Sequence, residues 1–220
     1  MAQVTLPNLR HFMFGGTNAY LEVLLPWITI PLLEKLDVYF FNRMMYSIPH
    51  LRQLMSTARN LRLKTAKLFF NRNCLIVMVY PHKGATSNTL CLQLGGRHFD
   101  WQVVSAAQVF HALKTVFTAV EHVTLKYDRH DMSSEWNRQA DRTHWRELLG
   151  SFDKAKTLRV GYGLVEQVSL ALQPSEGEVS TELLYELQEL LYSSRSSFPA
   201  FTPFIDARQN ARRPVIVAQF

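Results

Sequence analysis

The chain has 220 residues, 47% hydrophobic and 19% charged, which excludes a disordered chain and suffices for one substantial core or one short repeat array. Its net charge of +6 and pI near 9.4 make it mildly basic, but Lys and Arg are scattered apart from Arg208, Arg212 and Arg213, which ranks nucleic acid below protein as a partner. Cys74 and Cys91 lack histidines at ligand spacing, which excludes a structural zinc site, and no apolar run reaches the ~18–20 residues of a membrane span.

Taken in order, the chain repeats one phrase. Leu9-x-x-Phe12-x-Phe14 follows the turn-forming Pro7-Asn8 and ends at Gly15-Gly16. Ala19 to Trp27 holds one or two helical turns before Pro26 stops them. The clearest copy is Leu33-x-x-Leu36-x-Val38, where Leu36 and Val38 share one strand face and Asp37 and Tyr39 the other. Ser47-Ile48-Pro49 starts a helix, capped near Ser47 or Pro49, that runs from His50 to Arg59 with Leu51, Leu54, Met55 and Ala58 on one face.

Thr65-x-x-Leu68-x-Phe70 reads as the third copy, about 32 residues beyond the second. The rhythm then breaks. Cys74 to Leu94 predicts an inserted β-hairpin, closed by Gly95-Gly96, across which the two cysteines either face each other or sit as small hydrophobes. Trp101 to Lys114 predicts a helix, and Val120-x-x-Val123-x-Leu125 is the fourth copy. Tyr127 to Asp141 reads as a polar loop, His144 to Leu149 as a short helix, and Ala155-x-x-Leu158-x-Val160 as the fifth copy. A helix over Leu164 to Leu172, a loop from Pro174 and a sixth phrase, Leu187-x-x-Leu190-x-Tyr192, follow; Leu183 to Leu191 fits a helix equally. Phe201 to Ala211 reads as helical, and Val215 to Phe220 as a strand shielding the end of the stack.

Recurrence of one turn-plus-strand phrase predicts an α/β fold: an irregular leucine-rich repeat, horseshoe-like array of about six units with an inserted hairpin, forming a single domain over 1–220. In such an array the strand positions between the buried ones line a common face that commonly carries recognition. They are His11, Met13, Lys35, Asp37, Tyr39, Lys67, Phe69, His122, Thr124, Lys126, Arg159 and Gly161. Aromatic anchors among cations suit a protein partner; the alternative is that these are plain solvated strand positions.

Chemistry is not legible elsewhere. His144 and Glu147 lack the second histidine of a helical zinc site, and His130-Asp131 has no nucleophile on a recognisable elbow. Gly161-Tyr162-Gly163 lacks the third glycine and the Lys-Ser/Thr ending of a phosphate loop and reads as a repeat turn. The sequence therefore predicts no catalytic, cofactor or metal site, and no enzyme.

Several phrases resemble the leucine-rich repeat region of the F-box-like proteins of mushroom-forming fungi. They include Leu25-Pro26-Trp27 with Thr29-Ile30-Pro31-Leu32-Leu33, then Ile48-Pro49-His50-Leu51, and Phe99-Asp100-Trp101-Gln102. The most specific is Thr143-His144-Trp145-x-Glu147-Leu148-Leu149-x-x-Phe152-x-x-Ala155-Lys156-x-Leu158, and Phe204-x-x-Ala207-Arg208-Gln209 completes the set. The resemblance implies the substrate-recognition part of an F-box-type ubiquitin-ligase receptor, intracellular, binding an unknown substrate protein and no cofactor. The F-box itself, which docks on a Skp-type adaptor, is not in these residues; that partner is implied only where an F-box precedes them. The alternatives are a stand-alone repeat scaffold without a ligase role and a basic nucleic-acid binder.

Overall fold

A computed structural model describes residues 3–41, 47–128, 141–173, 183–193 and 200–220. The strands are β1 (Val4–Thr5), β2 (His11–Gly16), β3 (Ile28–Thr29), β4 (Lys35–Phe40), β5 (Thr65–Phe70), β6 (Cys74–Tyr80), β7 (Leu90–Gly95), β8 (His122–Tyr127), β9 (Thr157–Val160), β10 (Glu189–Tyr192) and β11 (Ile216–Gln219). Between them lie α1 (Asn18–Leu24), α2 (Pro49–Thr57), α3 (Phe99–Ala112), α4 (Lys114–Phe117), α5 (Arg142–Leu149), α6 (Val165–Leu172) and α7 (Thr202–Asn210). Strands β1 and β3 make a small parallel pair, and the other nine form one sheet in the order β11-β10-β9-β8-β5-β6-β7-β4-β2. Strand β6 is antiparallel to both neighbours, and every other adjacent pair in the sheet is parallel.

The recurrent phrase has a backbone cause. Before five strands a tight turn closes with an N–H···O=C bond spanning three residues: Leu9 to Leu6, Leu33 to Ile30, Val120 to Phe117, Ala155 to Phe152 and Leu187 to Leu184, at 2.9–3.3 Å. The donor's side chain starts the phrase, and the strand opens two residues later. One carbonyl at the strand entrance then accepts two N–H groups from the next parallel strand's entrance. Arg10 serves Glu34 and Lys35, Lys64 serves Glu121 and His122, Glu121 serves Lys156 and Thr157, and Lys156 serves Gln188 and Glu189. These five strands thus share one local arrangement, a tight turn leading into the strand, and the shared carbonyls join neighbouring strands at their N-terminal ends.

Two expectations about the strands need correction. The third copy begins at the buried Leu63 rather than at Thr65, because Thr65 pairs with His122 and Ala66 with Val123. A shift of two residues leaves every side chain on the same face, so the alternating pattern alone could not detect it. The hairpin of β6 and β7 is real, but it forms the middle of the sheet: β4 pairs with β7, β5 pairs with β8, and Leu36 and Leu68 are not on neighbouring strands. Leu183 to Leu191 is not helical; β10 takes its place between β9 and β11.

Burial alternates along the central strands. Leu36, Val38, Ala66, Leu68, Leu75, Val77, Leu90, Leu92, Val123, Leu125, Leu158 and Val160 are buried in one cluster with the inward residues of the helices. Trp145 of α5 lies at its centre, 5.7 Å from the Phe70 ring and 6.1 Å from that of Phe99. A second knot joins Phe110 to Phe117 and Phe152, at 4.5 and 4.9 Å.

Polar side chains reaching far along the chain fasten this layer. Glu22 of α1 caps α2, accepting from the backbone N–H of His50 (2.8 Å) and Leu51 (3.0 Å), so the cap expected near Ser47 or Pro49 is supplied from another helix. Its charge suits the positive end of a helix that begins with Pro49. Gln102, buried on α3, donates to the carbonyls of Asn71 and Gly96, holding the turn that opens the hairpin. Among the described residues no helix is long and apolar enough to cross a membrane. Most of the loop expected from Tyr127 to Asp141, and the loop expected from Pro174, lie outside the described residues.

Candidate functional site

The strand residues that point away from the helices form a second face, which no helix or strand covers among the described residues. Register sorts them into three rows. The first runs Glu189, Thr157, His122, Thr65 and Tyr80, with Lys35 and His11 in line beyond the hairpin. The second runs Leu191, Arg159, Thr124, Lys67, Met78, Cys91, Asp37 and Met13. The third includes Lys126, Phe69, Ile76, Gln93, Tyr39 and Gly15.

All the strand residues expected on this face are on it, and Gly161 extends it beyond β9, its N–H bonded to the Leu125 carbonyl. Most are half-buried; His11, Met13, Lys126 and Arg159 are exposed. Sequence reading missed the hairpin's share: Ile76, Met78, Tyr80, Cys91 and Gln93 sit in the middle of the face. The strict alternation of Ile76, Met78 and Tyr80 with Leu75, Val77 and Val79 was the available signal.

Asp37 departs from expectation. Its side chain is only 5% exposed, enclosed rather than solvated. His11 Nε2 lies 2.7 Å from Asp37 Oδ2, and Lys35 Nζ 3.4 Å from the same oxygen, while Oδ1 is buried without a partner. So enclosed, the Asp37 side chain is held in place by the lysine and the imidazole beside it. It acts in turn on Cys91: burial first, then the Asp37 charge, raises that thiol to about 11, so it is a poor nucleophile at neutral pH. Burial and the nearby Cys91 and Asp37 also push Tyr39 up. Cys74 pairs in register with Gly95 and Cys91 with Met78, so the thiols do not face each other, and both are free.

The cations fall into two kinds. Lys64 and Lys156 clasp Glu121 at the strand entrances, holding its carboxyl at about 2 through those two hydrogen bonds. Lys67 instead lies over the Tyr80 ring, 4.4 Å from its centroid, and Arg159 over Phe220 at 3.8 Å. His122 is held below the usual imidazole range, by burial first and then by Lys83.

Features outside this face do structural work. Arg208, at the basic C-terminal cluster, is buried; its guanidinium donates to the carbonyls of Leu184, Tyr185, Leu187 and Arg213, so it is not presented to phosphates. Arg213 stacks on Tyr185 at 3.6 Å. On α5, Trp145 is buried, while Glu147 faces a cleft shared with Arg52 and His111 of α2 and α3. Side chains at Gly161 and Gly163 would press on the Leu125 carbonyl and the Tyr127 ring, at 3.2 and 3.1 Å, so these glycines admit close packing after β9. His130-Asp131 lies outside the described residues. Among the described residues, no group of three or more His, Cys, Asp or Glu is placed to hold a metal ion.

Comparison with known proteins finds no matching family model, no similar curated protein and no similar solved structure.

Proposed function

We propose that this chain is a leucine-rich-repeat-like protein-binding module and that the open face of its sheet is the binding surface. The observation that carries the reading is one-sided cover among the described residues. Sheets of parallel strands are ordinarily buried on both faces. Here one face is packed with helices, while the other leaves Tyr39, Phe69, Ile76 and Met78 half-buried and Met13 60% exposed. Rigid aromatic and thioether surface interleaved with a few charged side chains suits a protein interface.

The recurring turn and strand, together with the phrases shared with F-box-like proteins, support assigning the module to substrate recognition in an intracellular ubiquitin-ligase receptor. In that role it is not an enzyme, and no metal or cofactor takes part. The test is a Tyr39→Ala, Phe69→Ala double variant. Both side chains lie outside the core cluster, so the variant is expected to melt cooperatively like the parent while losing partners captured by the parent from a fungal extract. Undiminished capture by the folded variant would overturn the assignment of the face. Turnover of any substrate that disappears with His144→Ala would overturn the non-enzymatic reading.

A further inference from the structure

The acids and the cations of the open face are not equally satisfied. Asp37 already holds His11 and Lys35, and Glu189 accepts from the Thr157 hydroxyl at 3.3 Å. Lys67, Lys126 and Arg159 meet no carboxylate among the described residues; Lys67 and Arg159 rest on aromatic rings instead. They stand on three adjacent strands. Lys67 and Arg159 flank Thr124 in one row, and Lys126 lies two residues further along β8. With strands about 4.8 Å apart, the Lys67 and Arg159 backbones are roughly 10 Å apart. Beside this cationic side, on β6 and β7, Ile76, Met78 and Cys91 bring no opposing charge.

We infer that the open face takes an acidic segment of a partner protein, its carboxylates over β5, β8 and β9 and an apolar side chain against Phe69, Ile76 and Met78. This rests on reading the open face as a binding surface and adds the chemistry of what binds. The three cations give this side of the face one sign of charge, which incoming carboxylates offset as well as forming new pairs. Lys67 and Arg159 are held on rings, so less side-chain freedom is lost when they are engaged. The two cations are drawn apart, Lys67 toward β6 and Arg159 toward the end of β11, which suits carboxylates distributed along a segment rather than one phosphate. Nucleic acid fits less well: Tyr80 and Phe220 each already carry a cation over one ring face, and three cations are few against the ~6–10 phosphate contacts of a strong electrostatic binder.

The experiment is selection of short random peptides displayed on phage against the full chain, followed by fluorescence anisotropy with the enriched peptides. Enriched peptides are expected to carry Asp or Glu beside a large apolar residue. Their affinity should fall about tenfold or more in a Lys126→Glu, Arg159→Glu variant and fall less in Lys126→Gln, Arg159→Gln. Both positions are exposed, so both variants should keep the parent's melting temperature. Peptides without acidic excess, lost on Phe69→Ala yet indifferent to charge reversal, would overturn the acidic chemistry and leave the binding face standing. Peptides indifferent to every open-face substitution would overturn both. An RNA oligonucleotide that displaces the peptides at physiological salt would overturn the inference in favour of nucleic acid.

Discussion

Strand β5 presents two different surfaces. Ala66, Leu68 and Phe70 are fully buried beneath the helices, whereas Lys67 and Phe69, one residue away, are half-buried on the open side. On the covered face Gln102 and Arg208 spend their donors on backbone carbonyls, while Trp145 Nε1 and Gln102 Oε1 are buried without a hydrogen-bond partner among the described residues. The open face holds aromatics, thioethers, cations and an enclosed carboxylate side by side. The difference teaches that fold and recognition are separated here by a period of two along each strand, not by region of the chain. Substitutions should divide the same way.

The largest effect should come from the covered face. Trp145→Ala is expected to destabilise by about 3–5 kcal/mol and Leu36→Ala or Leu158→Ala by about 2–5 kcal/mol, measured by urea unfolding, because each leaves a cavity in a closed layer. Near-parental midpoints would break the comparison by showing that the covered face is not the core. Next is Arg208→Met, which keeps bulk but leaves buried carbonyls unpaired; about 1–3 kcal/mol should be lost, against an insignificant change for Arg212→Met.

A smaller effect separates the strand entrances from both faces. Glu121 has its folded pKa lowered to about 2 from 4.5, so its contribution to stability is present above about 4.5 and is lost as pH falls toward 2. Glu121→Gln should therefore lower stability at neutral pH slightly, and the gap between parent and variant should close on acidification through that window. A gap that is constant with pH would show that Lys64 and Lys156 do not act through the carboxylate charge. Smallest of all, Lys126→Glu should change stability by no more than about 0.5 kcal/mol in the same unfolding assay, the range for an exposed site; a larger loss would place that residue in the fold rather than on the surface.

Much of the strand layer was legible, because Leu36 and Val38, or Leu158 and Val160, declare their shared face by spacing alone. The position of β6 and β7 was not. Their alternation announces a hairpin, but nothing local states that β7 rather than β5 lies beside β4. The same locality hid the start of the third copy, since Thr65 and Leu63 differ by a full period. On the open face, Lys67, Lys126 and Arg159 were readable as outward positions. The enclosure of Asp37 was not, because it depends on His11, which the sheet brings over from the edge strand. Glu22 capping α2 and Arg208 filling the turn before β10 escaped for a similar reason: the groups they reach at His50 and at Leu184 to Leu187 lie more than twenty residues away.

The most direct test is a methyl NMR titration of the full chain with an acidic peptide taken from the display selection. Binding on the open face should shift the methyl signals of Ile76, Met78 and Met13. It should leave those of Val77, Leu92 and Leu68, which point from the same or adjoining strands into the core, in place. Shifts gathered instead at Val23 and Leu170, which are exposed on the helices, with the open-face methyls unmoved, would contradict the assignment of recognition to the uncovered side of the sheet.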